Sequence, residues 1–220
     1  MSVKPILFNT EMIRVILEER KTVTRRVIKP RFKGWESGWR INRRIADNAV
    51  VGLEYTDEEE CGTGRYISPP YQTGEILYVR ETCCRCGNPR IGIQMHYEYR
   101  ADMENPNYTS RGFHAKWTPS IYMPKEAARI WLKVTGVRVE RLREIKVKDA
   151  LKEGVDFTTA EYMRGVDEKG ESKFILDKFG EIWDSTVKKE DLDKYGWDAN
   201  PWVWVIEFER TVKPDGNMEI

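Results

Sequence analysis

Two spacings of hydrophobic positions alternate along the chain and predict a mixed α+β protein. Residues 10–18 carry apolar side chains at helical spacing, with Met12, Ile13, Ile16 and Leu17 on one face. Residues 3–8, just before them, alternate weakly between apolar and polar, as a strand does. We therefore expect a strand, a helix that ends near Arg20, and a second short strand that begins near Thr22.

Further strands are predicted where β-branched and aromatic residues alternate or cluster. These segments are 49–55, 76–81, 93–99, 130–142 and 202–208. The segment 130–142 is either a half-buried pair of strands or one long strand bent at Gly136. A helix is predicted over 146–153, because the glycine that follows is a common C-cap residue, and another over 179–187. We interpret 1–212 as a single domain with loop insertions near 31–70, 83–118 and 155–180, followed by a frayed tail at 213–220.

The junction at residues 19–26 concentrates reactive groups: one amine, two hydroxyls and three guanidiniums. A threonine hydroxyl needs a base to become a nucleophile. Lys21 is the candidate base, because neighbouring cations and desolvation disfavour its ammonium form. The adjacent arginines, Arg20, Arg25 and Arg26, would also attract a phosphate. The alternative is a solvated basic cluster that complements the end of the helix.

Six segments, spread over most of the chain, resemble segments of one known family. They are KPILFN at 4–9, RKTVTRR at 20–26, GEILYVRET at 74–82, WTPSI at 117–121, MPKEAARI at 123–130 and NPWVWVIEFER at 200–210. Together they resemble the longer, phage- and prophage-associated branch of the ASCH family. The resemblance implies a PUA-like fold, a small and mostly antiparallel β-barrel flanked by helices, with a cleft suited to a nucleobase or RNA.

The resemblance also implies candidate catalytic residues. A compact bacterial member of the family is an amidohydrolase that removes the acetyl group from N4-acetylcytidine, and its lysine and threonine fall on Lys21 and Thr24. Its glutamate matches Glu153 by local pattern. On this hypothesis Thr24 attacks the amide carbonyl, Lys21 takes its proton and Glu153 protonates the departing amine. The alternative is a non-catalytic RNA- or nucleotide-binding module.

Five further residues are predicted to bind the substrate. Arg20, Arg25 and Arg26 are expected to hold it by its polar edge or by a phosphate, with Arg80 and Glu81 close to the same cleft. Strand alternation places Glu81 on the apolar face of its strand, where a buried carboxylate needs a cationic partner. We predict that Arg25 or Arg26 is that partner; an ion pair that only orders the barrel is the alternative.

The charge and composition of the chain restrict the kinds of molecule that it is expected to bind. The 37 Lys and Arg nearly balance the 36 Asp and Glu, which argues against a dedicated coat for non-specific nucleic-acid binding. Residues 1–50, however, hold 12 Lys and Arg against 5 Asp and Glu, so positive charge is focused around the motif. No hydrophobic run is long enough to span a membrane and no signal-peptide pattern begins the chain. We expect a cytoplasmic protein that binds a nucleoside or RNA, does not bind membranes and needs no cofactor; the sequence indicates no protein partner.

Three cysteines crowd together at Cys83, Cys84 and Cys86, and the outer two have CxxC spacing. A zinc site would need ligands from elsewhere in the chain. The candidates are Cys61, His96 and His114. A standard structural zinc site would have a second well-spaced pair, which is missing, so we predict reduced thiols and no metal. Zinc and a disulfide are the alternatives.

Overall fold

The computed structural model describes residues 3–29, 39–44, 50–56, 62–88, 90, 92–104, 116–163, 166 and 172–214. The strands are β1 (Val3–Leu7), β2 (Val23–Val27), β3 (Trp39–Arg43), β4 (Val50–Thr56), β5 (Gly62–Ile67), β6 (Ile76–Arg80), β7 (Cys83–Asn88), β8 (Ile93–Tyr99), β9 (Trp131–Arg141) and β10 (Trp202–Thr211). The α-helices are α1 (Thr10–Leu17), α2 (Val147–Lys152), α3 (Thr159–Met163), α4 (Lys173–Thr186) and α5 (Leu192–Tyr195).

The structure combines helices with strands that pair mostly antiparallel, so the predicted α+β class is confirmed. Hydrogen bonds order the strands as β1-β6-β9-β10-β2, β3-β4-β5 and β7-β8. The strands among the described residues do not close into a barrel, and the PUA-like barrel stays a prediction. None of the described helices has the length and apolar character needed to cross a membrane.

The chain divides into two compact units. Unit 1 comprises Met1–Lys21, Glu75–Lys133 and Glu209–Ile220, and unit 2 comprises Thr22–Gly74 and Val134–Phe208. Each unit is therefore assembled from segments that are distant along the chain.

In unit 1, β1 pairs in parallel with β6, and β6 pairs antiparallel with the start of β9. The register places Ile6 opposite Val79 and Leu77 opposite Leu132. All four side chains are fully buried. The alternation predicted for the strand at 76–81 is thus confirmed, with its apolar face in the core of unit 1.

Helix α1 also belongs to unit 1. The side chain of Asn9 caps it by accepting a hydrogen bond from the backbone N–H of Met12 at 2.8 Å, which satisfies one of the free donors of the first turn. Ile13 and Ile16 are buried, as their helical spacing predicts. Glu19 has a φ of 61°, so the chain leaves the helix through a left-handed residue before the reactive motif.

Unit 2 packs helices against the antiparallel pair β2-β10. Val23 of β2 and Val205 of β10 share a buried apolar cluster with Ala150 of α2 and Phe179 of α4. Gly154, with a φ of 90°, ends α2 as predicted, because its backbone adopts the left-handed conformation that favours glycine.

Three regions predicted as loops contain regular structure. The insertion at 31–70 includes the three-stranded sheet β3-β4-β5, and only its middle strand was expected. The segment after Glu81 forms β7, which pairs with the predicted strand at 93–99. The insertion at 155–180 includes α3 and the first half of α4, which begins at Lys173 rather than near residue 179. Charged residues interleaved with the buried Ile175 and Phe179 obscured the helical period.

Candidate functional site

Three polar residues of the reactive motif are buried. Lys21, Thr24 and Arg25 are only 2%, 3% and 4% exposed. Lys21 belongs to unit 1, where its ammonium nitrogen lies 5.9 Å from the centre of the Phe8 ring. Polar and charged side chains are seldom buried to this extent without partners or a role. The alternative of a solvated basic cluster is therefore wrong for Lys21 and Arg25, whereas Arg20 is exposed.

Successive side chains of β2 point to opposite faces of the strand. Alternation places the side chains of Thr24 and Arg26 on one face of β2 and those of Val23 and Arg25 on the other. The face that carries Val23 packs against the helices of unit 2. The guanidinium of Arg25 accordingly lies 5.9 Å from the centre of the Phe179 ring of α4. The motif therefore contributes a hydroxyl to one face of β2 and a guanidinium to the other.

Arg25 is surrounded by carboxylates of unit 2. Its Nη1 donates to Oε1 of Glu153 at 3.0 Å, and its Nη2 donates to Oε2 of Glu140 at 3.1 Å. Asp149 lies 4.0 Å from Nη2. The side chain of Arg25 is fully buried, and its Nε is a buried donor without a hydrogen-bond partner among the described residues.

Local structure explains how Glu153 reaches this strand. The backbone N–H of Thr22, just before β2, donates to the carbonyl of Lys152 at 2.9 Å. Glu153 is the next residue and forms the C-cap of α2. The end of α2 is thus tied to the start of β2, and the carboxylate of Glu153 is 7% exposed.

A second arginine extends the carboxylate cluster. Arg138 of β9 donates to Glu140 and Glu207 and, at 3.2 Å, to Asp149. With Glu153, four carboxylates of the described chain contact the two guanidiniums of Arg25 and Arg138. The cluster has a negative formal charge, so these guanidiniums are compensated by the protein itself.

Arg26 shares a face of β2 with Thr24 and is partly buried. Desolvation by burial lowers the pKa of Arg26, and charge interactions with Tyr71 and Glu153 oppose that shift. Glu153 therefore acts on both arginines, on Arg25 through a hydrogen bond and on Arg26 through its charge. Its position beside the start of the strand accounts for both effects.

The two remaining predicted arginines each have a partner within unit 1. Arg20 is exposed and pairs with Glu18 at 2.7 Å. Arg80, in unit 1, donates from Nε to the backbone carbonyl of Met123 at 2.9 Å. Their predicted roles in substrate binding stay predictions.

Glu81 has a different partner from the one predicted. Its carboxylate, 2% exposed, accepts two hydrogen bonds from Arg129, at 2.9 and 3.0 Å. Arg129 also donates to both oxygens of Asp102, at 2.6 and 2.9 Å, and lies 3.9 Å from the centre of the Tyr99 ring. The prediction of Arg25 or Arg26 as partner is wrong, because Arg129 takes both oxygens. No local signal in the sequence pointed to Arg129, which is 48 residues away.

Cys83, Cys84 and Cys86 are free, buried thiols in unit 1. Over the part of the chain that the structure describes, no group of three or more His, Cys, Asp or Glu is arranged to hold a metal ion. Cys61 and His114, two of the predicted zinc ligands, lie outside the described residues.

No family model, no curated protein and no solved structure matches the chain. The resemblance to the ASCH family therefore depends on its six sequence segments.

Proposed function

We propose that the chain is an ASCH-type protein with a PUA-like fold that acts on a nucleobase or nucleoside, and that it hydrolyses an N4-acetylcytidine-type amide. The motif at 20–26 supplies the resemblance. One structural observation supports the proposal most: Glu153, 128 residues beyond Arg25, is hydrogen-bonded to it at 3.0 Å. Glu153 is thus held at the start of the strand that carries Thr24, on the face of Arg25, and its charge also acts on Arg26, which shares the face of Thr24.

In the proposed reaction, Thr24 attacks the acetyl carbonyl while Lys21, as a neutral amine, takes the hydroxyl proton. The new C–O bond forms an acetyl-threonine as the C–N bond breaks. Glu153 relays a proton to the departing exocyclic amine. Water then hydrolyses the ester, which releases acetate and restores Thr24.

The negative charge of the carboxylate cluster around Arg25 and Arg138 supports a neutral ligand over one rich in phosphates. Arg25 and Arg138 are compensated by carboxylates, so they offer little attraction to a phosphate. An uncharged base can instead donate hydrogen bonds from its amine to carboxylate acceptors. We therefore favour a free base or nucleoside as the substrate.

Deacetylation of N4-acetylcytidine by the purified chain tests the proposal. Two shape-preserving variants test the roles separately. Lys21→Met should lower kcat by about 10²–10⁴-fold, the range for loss of a proton-transfer group. Thr24→Val removes the nucleophile, so it should lower kcat by at least as much. Thr22→Val changes a neighbouring hydroxyl of the same motif and should keep the wild-type rate. The hydrolase proposal fails if the wild type releases no acetate, or if Thr24→Val retains full activity.

The non-catalytic alternative is favoured by one observation. Thr24 is 3% exposed, whereas a nucleophile must reach a carbonyl carbon. On this alternative the chain binds N4-acetylcytidine or RNA without turnover. Equilibrium titration with each ligand distinguishes the two functions, and binding to RNA through phosphates would weaken steeply as salt is raised.

A further inference from the structure

The β7-β8 hairpin of unit 1 gathers four reactive side chains on one face. Its register pairs Cys84 with Glu98 and Cys86 with His96. Residues directly opposite each other in an antiparallel pair share a face, as do residues two apart in one strand. Cys83 points to the other face, where it belongs to a small apolar cluster.

The two thiols on the shared face are in contact. Sγ of Cys86 donates to Sγ of Cys84 at 3.3 Å. Two residues apart on a strand, their Cα atoms are separated by about 6.6 Å, near the upper limit for a disulfide, so the strand must bend to bring the two Cβ atoms within about 4.5 Å before the bond can close. Each retains 9% exposure, whereas Cys83 retains 1%. The two sulfurs are therefore in contact, and both thiols are less enclosed than that of Cys83.

The carboxylate of Glu98 and the imidazole of His96 lie on the same face as this pair of thiols and provide a path for a proton to solvent. Burial raises the pKa of Cys86 to about 12, and Cys84 and Glu98 add to the shift, so the thiol is protonated at neutral pH. Glu98, 7% exposed at its side chain, lies 3.1 Å from Nε2 of His96. The imidazole is 46% exposed. A proton leaving Cys86 thus has an acceptor beside it and a route to water.

We propose that Cys84 and Cys86 form a modification site, oxidised reversibly to an intrastrand disulfide by small-molecule disulfides such as oxidised glutathione. Cys84, whose sulfur accepts a hydrogen bond from Cys86, attacks oxidised glutathione as the thiolate and releases one reduced glutathione. The second cysteine then attacks the resulting mixed disulfide and releases another. Two electrons pass from the protein to glutathione, and the two thiol protons end on the two released glutathiones. This inference is independent of the proposed hydrolase.

The sequence offers a direct readout of this bond. Trypsin cleaves after Arg85, between the two cysteines, so a Cys84–Cys86 disulfide joins peptide 81–85 to peptide 86–90. The full-length folded chain is incubated with oxidised glutathione, blocked with a thiol reagent, digested and analysed by mass spectrometry. A Cys61→Ser background removes the fourth thiol. The joined peptides should appear, and dithiothreitol should separate them completely.

Matched variants assign the bond. Cys83→Ser should keep the joined peptides at the wild-type yield, and Cys84→Ser and Cys86→Ser should lose them. Fragmentation of the joined wild-type peptides gives the same assignment without any variant. Single glutathione adducts alone, a Cys83–Cys86 bond, or unreacted thiols would each overturn the proposal. Stoichiometric zinc that protects both thiols would overturn it as well.

Discussion

The pair formed by Glu81 and Arg129 allows a quantitative prediction. Arg129→Met removes two hydrogen bonds to a carboxylate that is 2% exposed. Losing the partner of a buried charge costs about 3–5 kcal/mol, because the remaining charge is uncompensated. The other contact of Arg129, with the 44% exposed Asp102, adds only about 0–1 kcal/mol. We therefore expect a loss of about 3–5 kcal/mol in the free energy of unfolding at pH 7.

Urea unfolding followed by tryptophan fluorescence measures this loss, and pH tests its cause. Burial raises the pKa of Glu81, and Arg129 opposes that rise. A raised pKa means that the folded state binds the proton more tightly than the unfolded state, so this group favours folding at low pH and loses that contribution as pH rises. Without Arg129 the pKa rises further. The deficit of Arg129→Met should therefore shrink as pH falls from 7 towards about 4–5.

Two further variants separate the buried charge from the exposed contact. Asp102→Asn should cost less than about 1 kcal/mol. Adding Glu81→Gln to Arg129→Met should recover part of the lost stability, because no charge is then left buried without a partner. The reasoning is refuted if Arg129→Met loses less than about 1 kcal/mol at pH 7, the scale of an exposed pair, or if the loss is the same at both pH values.

Two predictions concern helices. Asn9→Ala should cost about 1 kcal/mol, because it removes the acceptor for the N–H of Met12; a urea midpoint equal to that of the wild type would contradict this. Gly180→Ala should cost about 1–3 kcal/mol, because a Cβ there meets the Trp197 ring at 2.9 Å. Glu181→Ala, exposed on the same helix, is its control, and thermal unfolding should show a lower Tm only for the glycine variant.

Local spacing in the sequence determined most of the elements that carry the candidate groups. The helix at 10–17, the strand at 76–80 and the helix end at Gly154 follow from periodicity and capping over a few residues. The same patterns placed Lys21 and Thr24 directly after a helix. Local patterns failed where charged residues interrupted the period, as in the start of α4. They also missed β3 and β7, although each pairs with the next strand along the chain.

Tertiary structure alone decided which charges meet. Arg25 pairs with Glu153 across 128 residues, and Glu81 pairs with Arg129 rather than with either arginine of the motif. It also decided that Cys84 and Cys86 share a face with Glu98, through the register of a hairpin. The physical reason is that any of the 36 carboxylates can pair with any guanidinium. Which carboxylate pairs with which guanidinium depends on burial and on distance, and both are fixed only when remote segments pack together.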